Sequence, residues 1–277
     1  MDRAGGTDSF CPAAGAGGAA PEYGGCVGDL TLARARGRRW LPARRVHTIS
    51  EAAEYVADVG FALLFPGGRP AAPALWEAVA GPDVEPFAHG MGPLEARVWT
   101  WKDEFARDGL AWYGRFLYRR ASLLSPPLLA ALYPGEGEPD DHRAFALSPE
   151  AHRIAEALAL GPLPTSTLRG VIGHRGRYER AIGELHRLLL VTSAGVREHR
   201  TGWPAAVVDL TCRRFDVGGG TDHGYAAARF LDTMVEASPA TLATAFGWPV
   251  PAATAALDGL VVAGLATAGR TYRPKPH

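Results

Sequence analysis

Apolar positions along this chain recur at helical spacing in some stretches and in short unbroken runs in others. Ile49, Ala52, Val56 and Val59 fall on one helical stripe. Thr48 and Glu51 bracket its start as a capping box, each side chain satisfying an amide that the helix leaves open. Phe61 to Phe65 is a continuous apolar run ended by Pro66-Gly67-Gly68, and Pro73 opens a short helix from Ala74 to Ala80, closed by Gly81-Pro82. Thr100 is placed to cap a helix through about Asp108, with Gly109 as its stop. Trp112–Leu117 and Ala121–Leu124 read as two strands of a hairpin around Tyr118-Arg119-Arg120. Ser125-Pro126 starts a helix to Tyr133, and Pro134–Asp141 reads as an acidic linker.

From Ser148 the order becomes regular. Ser148-Pro149-Glu150 combines a cap, a first-turn proline and a first-turn acid. The helix it opens runs to Leu160, a second spans Thr165–Ile172, and a third spans Arg177–Leu190. Tyr178, Ala181, Ile182, Leu185, Leu188 and Leu189 form the third helix's buried stripe. Its outer face shows Arg177, Arg180, Glu184 and Arg187, with Arg175 just before it. Val191–Arg200, broken at Gly195, reads as a β-wing, while residues 204–216 fit strand or helix equally. Tyr225–Glu236, Pro239–Phe246 and Pro251–Val262 repeat the three-helix order, with Leu265–Tyr272 as wing strand. Three helices and a wing is the winged-helix order. The last helix of this repeat carries no basic residue, so it is expected to pack internally rather than read phosphates.

The predicted fold is therefore α+β and mostly helical, with tandem winged-helix (helix-turn-helix) domains and a β-hairpin. Residues 1–45 are expected to be a disordered Gly/Ala/Arg-rich head, having too little apolar surface to offset ordering entropy. Residues 46–147 form an N-terminal winged-helix-like domain with the hairpin, 148–203 a winged helix with a basic third helix, and 204–277 a structural C-terminal winged helix.

Charge narrows the partners. Lys plus Arg and Asp plus Glu each number 29, so any nucleic-acid contact must come from a local patch. Arg34, Arg36, Arg38, Arg39, Arg44 and Arg45 make the end of the head an arm able to follow a phosphate backbone, or else a solvated tail. The three cysteines form no CxxC pair, consistent with a reducing cytoplasm, and the nine histidines show no metal-ligand spacing, so neither metal nor cofactor is expected. No apolar run reaches the ~18–20 residues of a membrane span.

The chemistry concentrates in Val98–Tyr133, which holds three of the seven tryptophans among charges of both signs. Trp99, Trp101, Lys102, Trp112 and Tyr113 are candidates for a cleft, and Arg115, Arg119 and Arg120 for phosphate contacts with Arg175, Arg177, Arg180 and Arg187. Asp103 and Glu104 are the candidate catalytic carboxylates, being the acidic pair set among aromatics and a lysine. Adjacent helical residues point about 100° apart, so both cannot serve one site equally. A cap or ion-pair role for Asp103 stands beside the catalytic one.

Val59-Gly60-Phe61-Ala62-Leu63-Leu64-Phe65-Pro66, Leu75-Trp76-Glu77-Ala78-Val79-Ala80-Gly81, Trp99-Thr100-Trp101-Lys102-Asp103, the Trp112–Leu124 segment and Phe246-Gly247-Trp248 together resemble the AlkZ-related branch of the YcaQ/AlkZ winged-helix proteins, over roughly residues 46–273. The resemblance implies tandem winged helices around a basic channel, a hairpin that enters DNA, and repair of alkylated or crosslinked bases in double-stranded DNA. The family's glycosylases carry a Gln-x-Gln or Gln-x-Asp motif that positions the attacking water. This chain has no glutamine, and the matching place, Ala62 to Pro66, is apolar. The resemblance thus implies a DNA-binding, glycosylase-like protein with activity altered or lost. The alternatives are a regulatory binding module or a small-molecule enzyme or binder using the Trp99–Trp112 cleft.

Overall fold

The computed structural model describes residues 24–197 and 205–275. After α1 (Gly24–Trp40), one order of elements is repeated three times. The first unit runs α2 (Ile49–Val59), β1 (Phe61–Leu63), α3 (Leu75–Ala80), α4 (Pro93–Arg107), β2 (Trp112–Arg115) and β3 (Ala121–Leu124). Helix α5 (Pro126–Leu132) leads to the second: α6 (Pro149–Ala159), β4 (Leu163–Pro164), α7 (Thr165–Ile172), α8 (Arg175–Arg187), β5 (Val191–Arg197) and β6 (Ala205–Leu210). The third has α9 (His223–Met234), α10 (Pro239–Phe246), α11 (Val250–Val262), β7 (Ala266–Ala268) and β8 (Tyr272–Pro274). The sheets are antiparallel in the orders β1-β3-β2 and β4-β6-β5, and in the third unit Ala237 bridges Tyr272 beside the β7–β8 pair. In each unit the strand position after the first helix thus pairs with the last strand.

The capping box at Thr48 and Glu51 forms as expected. The apolar run after it reflects a sheet covered on both faces. Phe61 and Leu63 enter a core that extends through all three units, whereas Ala62 and Leu64 enter a second core of the first unit, with Trp76, Trp101 and Phe105. The shared core carries a cluster of rings: Phe61 stacks on Phe230 at 5.5 Å, and Phe246 packs edge-on against both at 6.3 and 5.3 Å. Phe116, at the hairpin end, stacks on Phe246 at 6.0 Å.

Several expectations are corrected. Disorder through residue 45 gives way to α1, while residues 1–23 lie outside the described ones. Helix α1 is held by hydrogen bonds that no local apolar pattern encodes. Trp40 Nε1 donates to the Thr233 carbonyl at 2.7 Å, Arg36 Nε to that of Met234 at 3.1 Å, and Arg39 bonds Asp58 and Asp232 at 2.9 Å each. Arg36 and Arg39 are therefore committed to protein rather than to a free arm. Helix α4 begins at Pro93, and Thr100 lies inside it, its hydroxyl bonding back to the Ala96 carbonyl at 2.8 Å. Residues 198–204 lie outside the described residues, and the described part of the ambiguous segment, from 205 on, is a strand followed by a turn. Helix α8 ends at Arg187, short of Leu190, because Leu189 turns to a positive φ of 58°. Helix α11 buries only Ala253, Leu257 and Leu260, and Val262 is 90% exposed, so it is not internal. The acidic segment after Tyr133 is a tied turn rather than a linker. The Asp141 carboxylate accepts from the Tyr133 hydroxyl at 2.7 Å and from the Glu136, Gly137 and Glu138 amides at 2.9–3.1 Å.

Candidate nucleic-acid interface

The hairpin β2–β3 lies against α8, and the two enclose a groove of about 540 Å³. Its lining includes Arg115 and Arg119 from the hairpin and Arg177, Arg180 and Arg187 from α8. Three carboxylates face them. Glu179 pairs with Arg115 at 3.3 Å, Glu150 with Arg177 at 3.6 Å, and Glu184 accepts from the Ser148 amide and hydroxyl at 3.1 and 2.6 Å. Arg119, Arg180 and Arg187 have no carboxylate within 4.0 Å among the described residues, and all three are exposed. The α8 face follows from its periodicity: Tyr178, Ala181, Ile182 and Leu185 turn inward, so the positions between them turn out. Arg175 is exposed at the helix start, outside the groove lining.

The hairpin end does not project freely. Leu117 and Phe116 are buried, and Ser122 Oγ accepts from both of their amides at 3.0 and 3.3 Å. Tyr118 and Arg119 both adopt positive φ, 52° and 59°. This left-handed turn sends Arg119 outward and folds Arg120 back, where its guanidinium donates to the carbonyls of Gly67 and Pro70 and lies 5.3 Å over the Tyr118 ring. Arg120 is thus engaged within the protein, and only Arg119 of the tip pair lines the groove. Beyond Arg119 and Arg187, the groove continues into a second hollow of about 630 Å³ walled by Phe116, Tyr118, Phe246 and Trp248.

The expected cleft keeps Trp99, Lys102 and Tyr113 but not Trp101 and Trp112. Trp112 is fully buried, its indole donating to Thr211 Oγ1 at 3.1 Å, and Trp101 lies in the first unit's core. Strand alternation turns Trp112 and Gly114 inward and leaves Tyr113 and Arg115 on the other face. A cleft of about 300 Å³ remains between the first and second units, and its lining includes Trp99, Lys102, Asp103, Tyr113, His186 and Ser193. Lys102 Nζ lies 4.9 Å from the Trp99 ring and 5.4 Å from the Tyr113 ring. It bonds Asp103 Oδ2 at 2.5 Å, and Ser193 donates to Asp103 Oδ1 at 2.6 Å. Asp103 is buried, whereas Glu104, one residue on, is only partly covered and does not line the cleft. The two carboxylates are not brought together, as the helical offset requires. Arg115, Arg169 and Glu179 rim the cleft, joining it to the arginine groove.

The sequence reading did not place Ser193 or His186 in this cleft, where the packing of β5 and α8 on the first unit brings them. Thr192 Oγ1 fixes this seam by accepting from the Tyr113 amide at 3.2 Å and donating to its carbonyl at 3.0 Å. Burial, with a smaller push from Arg115, lowers His186 to about 3, and its Nδ1 has no hydrogen-bond partner. In the apolar run Ala62 to Pro66, Ala62, Leu63 and Leu64 are at most 1% exposed and face the cores, while Phe65 and Pro66 are partly exposed.

Among solved structures, the chain is similar to Streptomyces sahachiroi DNA glycosylase AlkZ, at 15% identity and a TM-score of 0.48, over 85% of this chain and 65% of that one. A second similarity, to the DIP2311 protein from Corynebacterium diphtheriae, has 18% identity and a TM-score of 0.21, over 66% of this chain and 39% of that one. The chain thus spans under two thirds of the length of either. No curated protein matches. The profile of the family described as AlkZ related matches residues 46–237, well over half of the chain, and the chain belongs to the AlkZ-related family.

Proposed function

We propose that this chain binds double-stranded DNA, damaged DNA in particular, with the arginine groove as its phosphate track. The reading is that of a protein related to repair glycosylases whose base-excision chemistry is altered or lost. The observation that carries it is the set of three exposed arginines without carboxylate partners, Arg119, Arg180 and Arg187, on one groove between the hairpin and α8. Guanidinium groups at this density suit phosphate oxygens, and the adjoining aromatic hollow suits an unstacked base. The absence of glutamine and the closed surroundings of Ala62 support altered chemistry. Any excision activity would have to draw on other groups, and Asp103 is the carboxylate set in a cleft beside the groove.

The test is binding to a fluorescent duplex, with and without an abasic-site mimic, across a salt series. Binding should be stronger with the mimic and should fall steeply with salt. Arg180→Ala with Arg187→Ala should lower the log–log salt slope by about 0.9 for each phosphate that is no longer neutralised. Absence of binding at low salt would remove the DNA reading. The case would then pass to the alternative, a regulatory module or small-molecule enzyme using the Trp99–Lys102–Asp103 cleft.

A further inference from the structure

Lys102 is an unusual residue to find where it is. Lysine almost never sits fully buried, and here its side chain is 8% exposed between two aromatic rings, on the lining of a cleft. A buried ion pair contributes little net stability, because desolvating both charges offsets their attraction. An apolar pair would fill the same space without that cost. The cleft also holds a buried polar atom with no hydrogen-bond partner, His186 Nδ1. At its mouth, Arg115 and Arg169 share the single carboxylate of Glu179, at 3.3 and 3.5 Å. Two guanidiniums at the mouth of a hollow about the size of a sugar suit the phosphates on either side of one nucleotide.

We infer that Lys102 is an amine nucleophile for the ring-opened, aldehydic sugar of an abasic site in DNA, with Asp103 as its proton partner. This rests on the DNA reading above and names the chemistry of the cleft beside the groove. Lys102 Nζ passes a proton to Asp103 along their 2.5 Å hydrogen bond. The free amine forms a bond to C1′, and a proton moves from nitrogen to the former carbonyl oxygen. Asp103 then returns its proton to that hydroxyl, and the C–O bond breaks to release water and leave an iminium ion. The iminium acidifies C2′, whose proton goes to Asp103. The C3′–O bond then breaks, and the 3′ phosphate leaves with the bonding pair. Water hydrolyses the remaining imine and frees Lys102. No redox partner or metal enters the balance. Ser193, which donates to Asp103 Oδ1 at 2.6 Å, positions the carboxylate.

The test is reductive trapping. The full-length protein is mixed with a duplex holding one aldehydic abasic site and sodium cyanoborohydride, and the covalent product is resolved on a denaturing gel and mapped by peptide mass. In parallel, binding is measured to a duplex with a tetrahydrofuran abasic mimic, which has no aldehyde. The expected result is one major adduct on Lys102, reduced at least tenfold in Lys102→Arg, which keeps the charge. Asp103→Asn should slow trapping without moving the adduct. Tight binding to the mimic with no adduct, or with the adduct on another amine, would overturn this inference and leave the DNA reading standing. Failure to bind either duplex would overturn both. If Lys102→Arg does not fold, the adduct map on the unaltered protein decides alone.

Discussion

Replacing Asp141 by alanine should destabilise the whole chain by about 3–5 kcal/mol. The carboxylate accepts four hydrogen bonds, from the Tyr133 hydroxyl and the amides of Glu136, Gly137 and Glu138. A hydrogen bond to a charged group contributes about 1.5–3 kcal/mol, but four bonds on one carboxylate do not add, and some freed amides can reach water. The Tyr133 hydroxyl recovers least, because the residue is 1% exposed and burial with the adjacent carboxylate pushes its pKa up, keeping it a donor. Tyr133→Phe should therefore remove about 1–2 kcal/mol by itself. At roughly 2–4 °C per kcal/mol, Asp141→Ala should lower Tm by on the order of 10 °C. Urea unfolding followed by tryptophan fluorescence and far-ultraviolet circular dichroism reads both quantities. A loss under about 1 kcal/mol, or two separated transitions in the parent protein, would refute the reasoning, because residues 134–141 would then be a linker between independent domains.

Arg119 and Arg120 should separate cleanly. Arg120→Ala should cost about 1–3 kcal/mol of stability by orphaning the Gly67 and Pro70 carbonyls, whereas Arg119→Ala should leave the urea midpoint unchanged and weaken DNA binding. Gly218→Ala should destabilise strongly, since φ there is 108° and an added Cβ would overlap the Glu136 carbonyl across the loop; a thermal melt equal to the parent's would contradict that close approach. Stability should also fall as pH drops from about 6.5 toward 3, because the unfolded chain takes up a proton on His186 that the folded chain accepts only near 3. The contribution is intact above pH 6.5, and His186→Leu should flatten that slope in urea midpoints measured at pH 7 and pH 5.

Local pattern exposed most of the helices and the repeated winged-helix order, because caps, prolines and apolar stripes are written within a few residues. It also selected the groove arginines of α8, whose outward direction follows from periodicity. It could not show that Trp112 turns into the core while Tyr113 faces the cleft, since both fit an aromatic strand until its partners are known. Arg120 looked identical to Arg119; only two consecutive left-handed residues send one outward and the other onto the Gly67–Pro70 loop. Ser193 bonds Asp103 across 90 residues of chain, and His186 lines the same cleft from more than 80 residues beyond Asp103, and no short motif encodes such distances.

The ring cluster of Phe61, Phe116, Phe230 and Phe246 has a consequence for how sequence could be sensed. Close-packed aromatics joining the first and third units leave no hinge there. A duplex seated in the groove must therefore supply the change of shape itself, at a bending energy that depends on its own stiffness. Base steps that unstack easily, or a site where stacking is already broken, deform at lower cost than intact stiff tracts. Discrimination of this kind needs no base contact, and it would appear as stronger binding to a nicked, gapped or mismatched duplex of the same sequence than to the intact one.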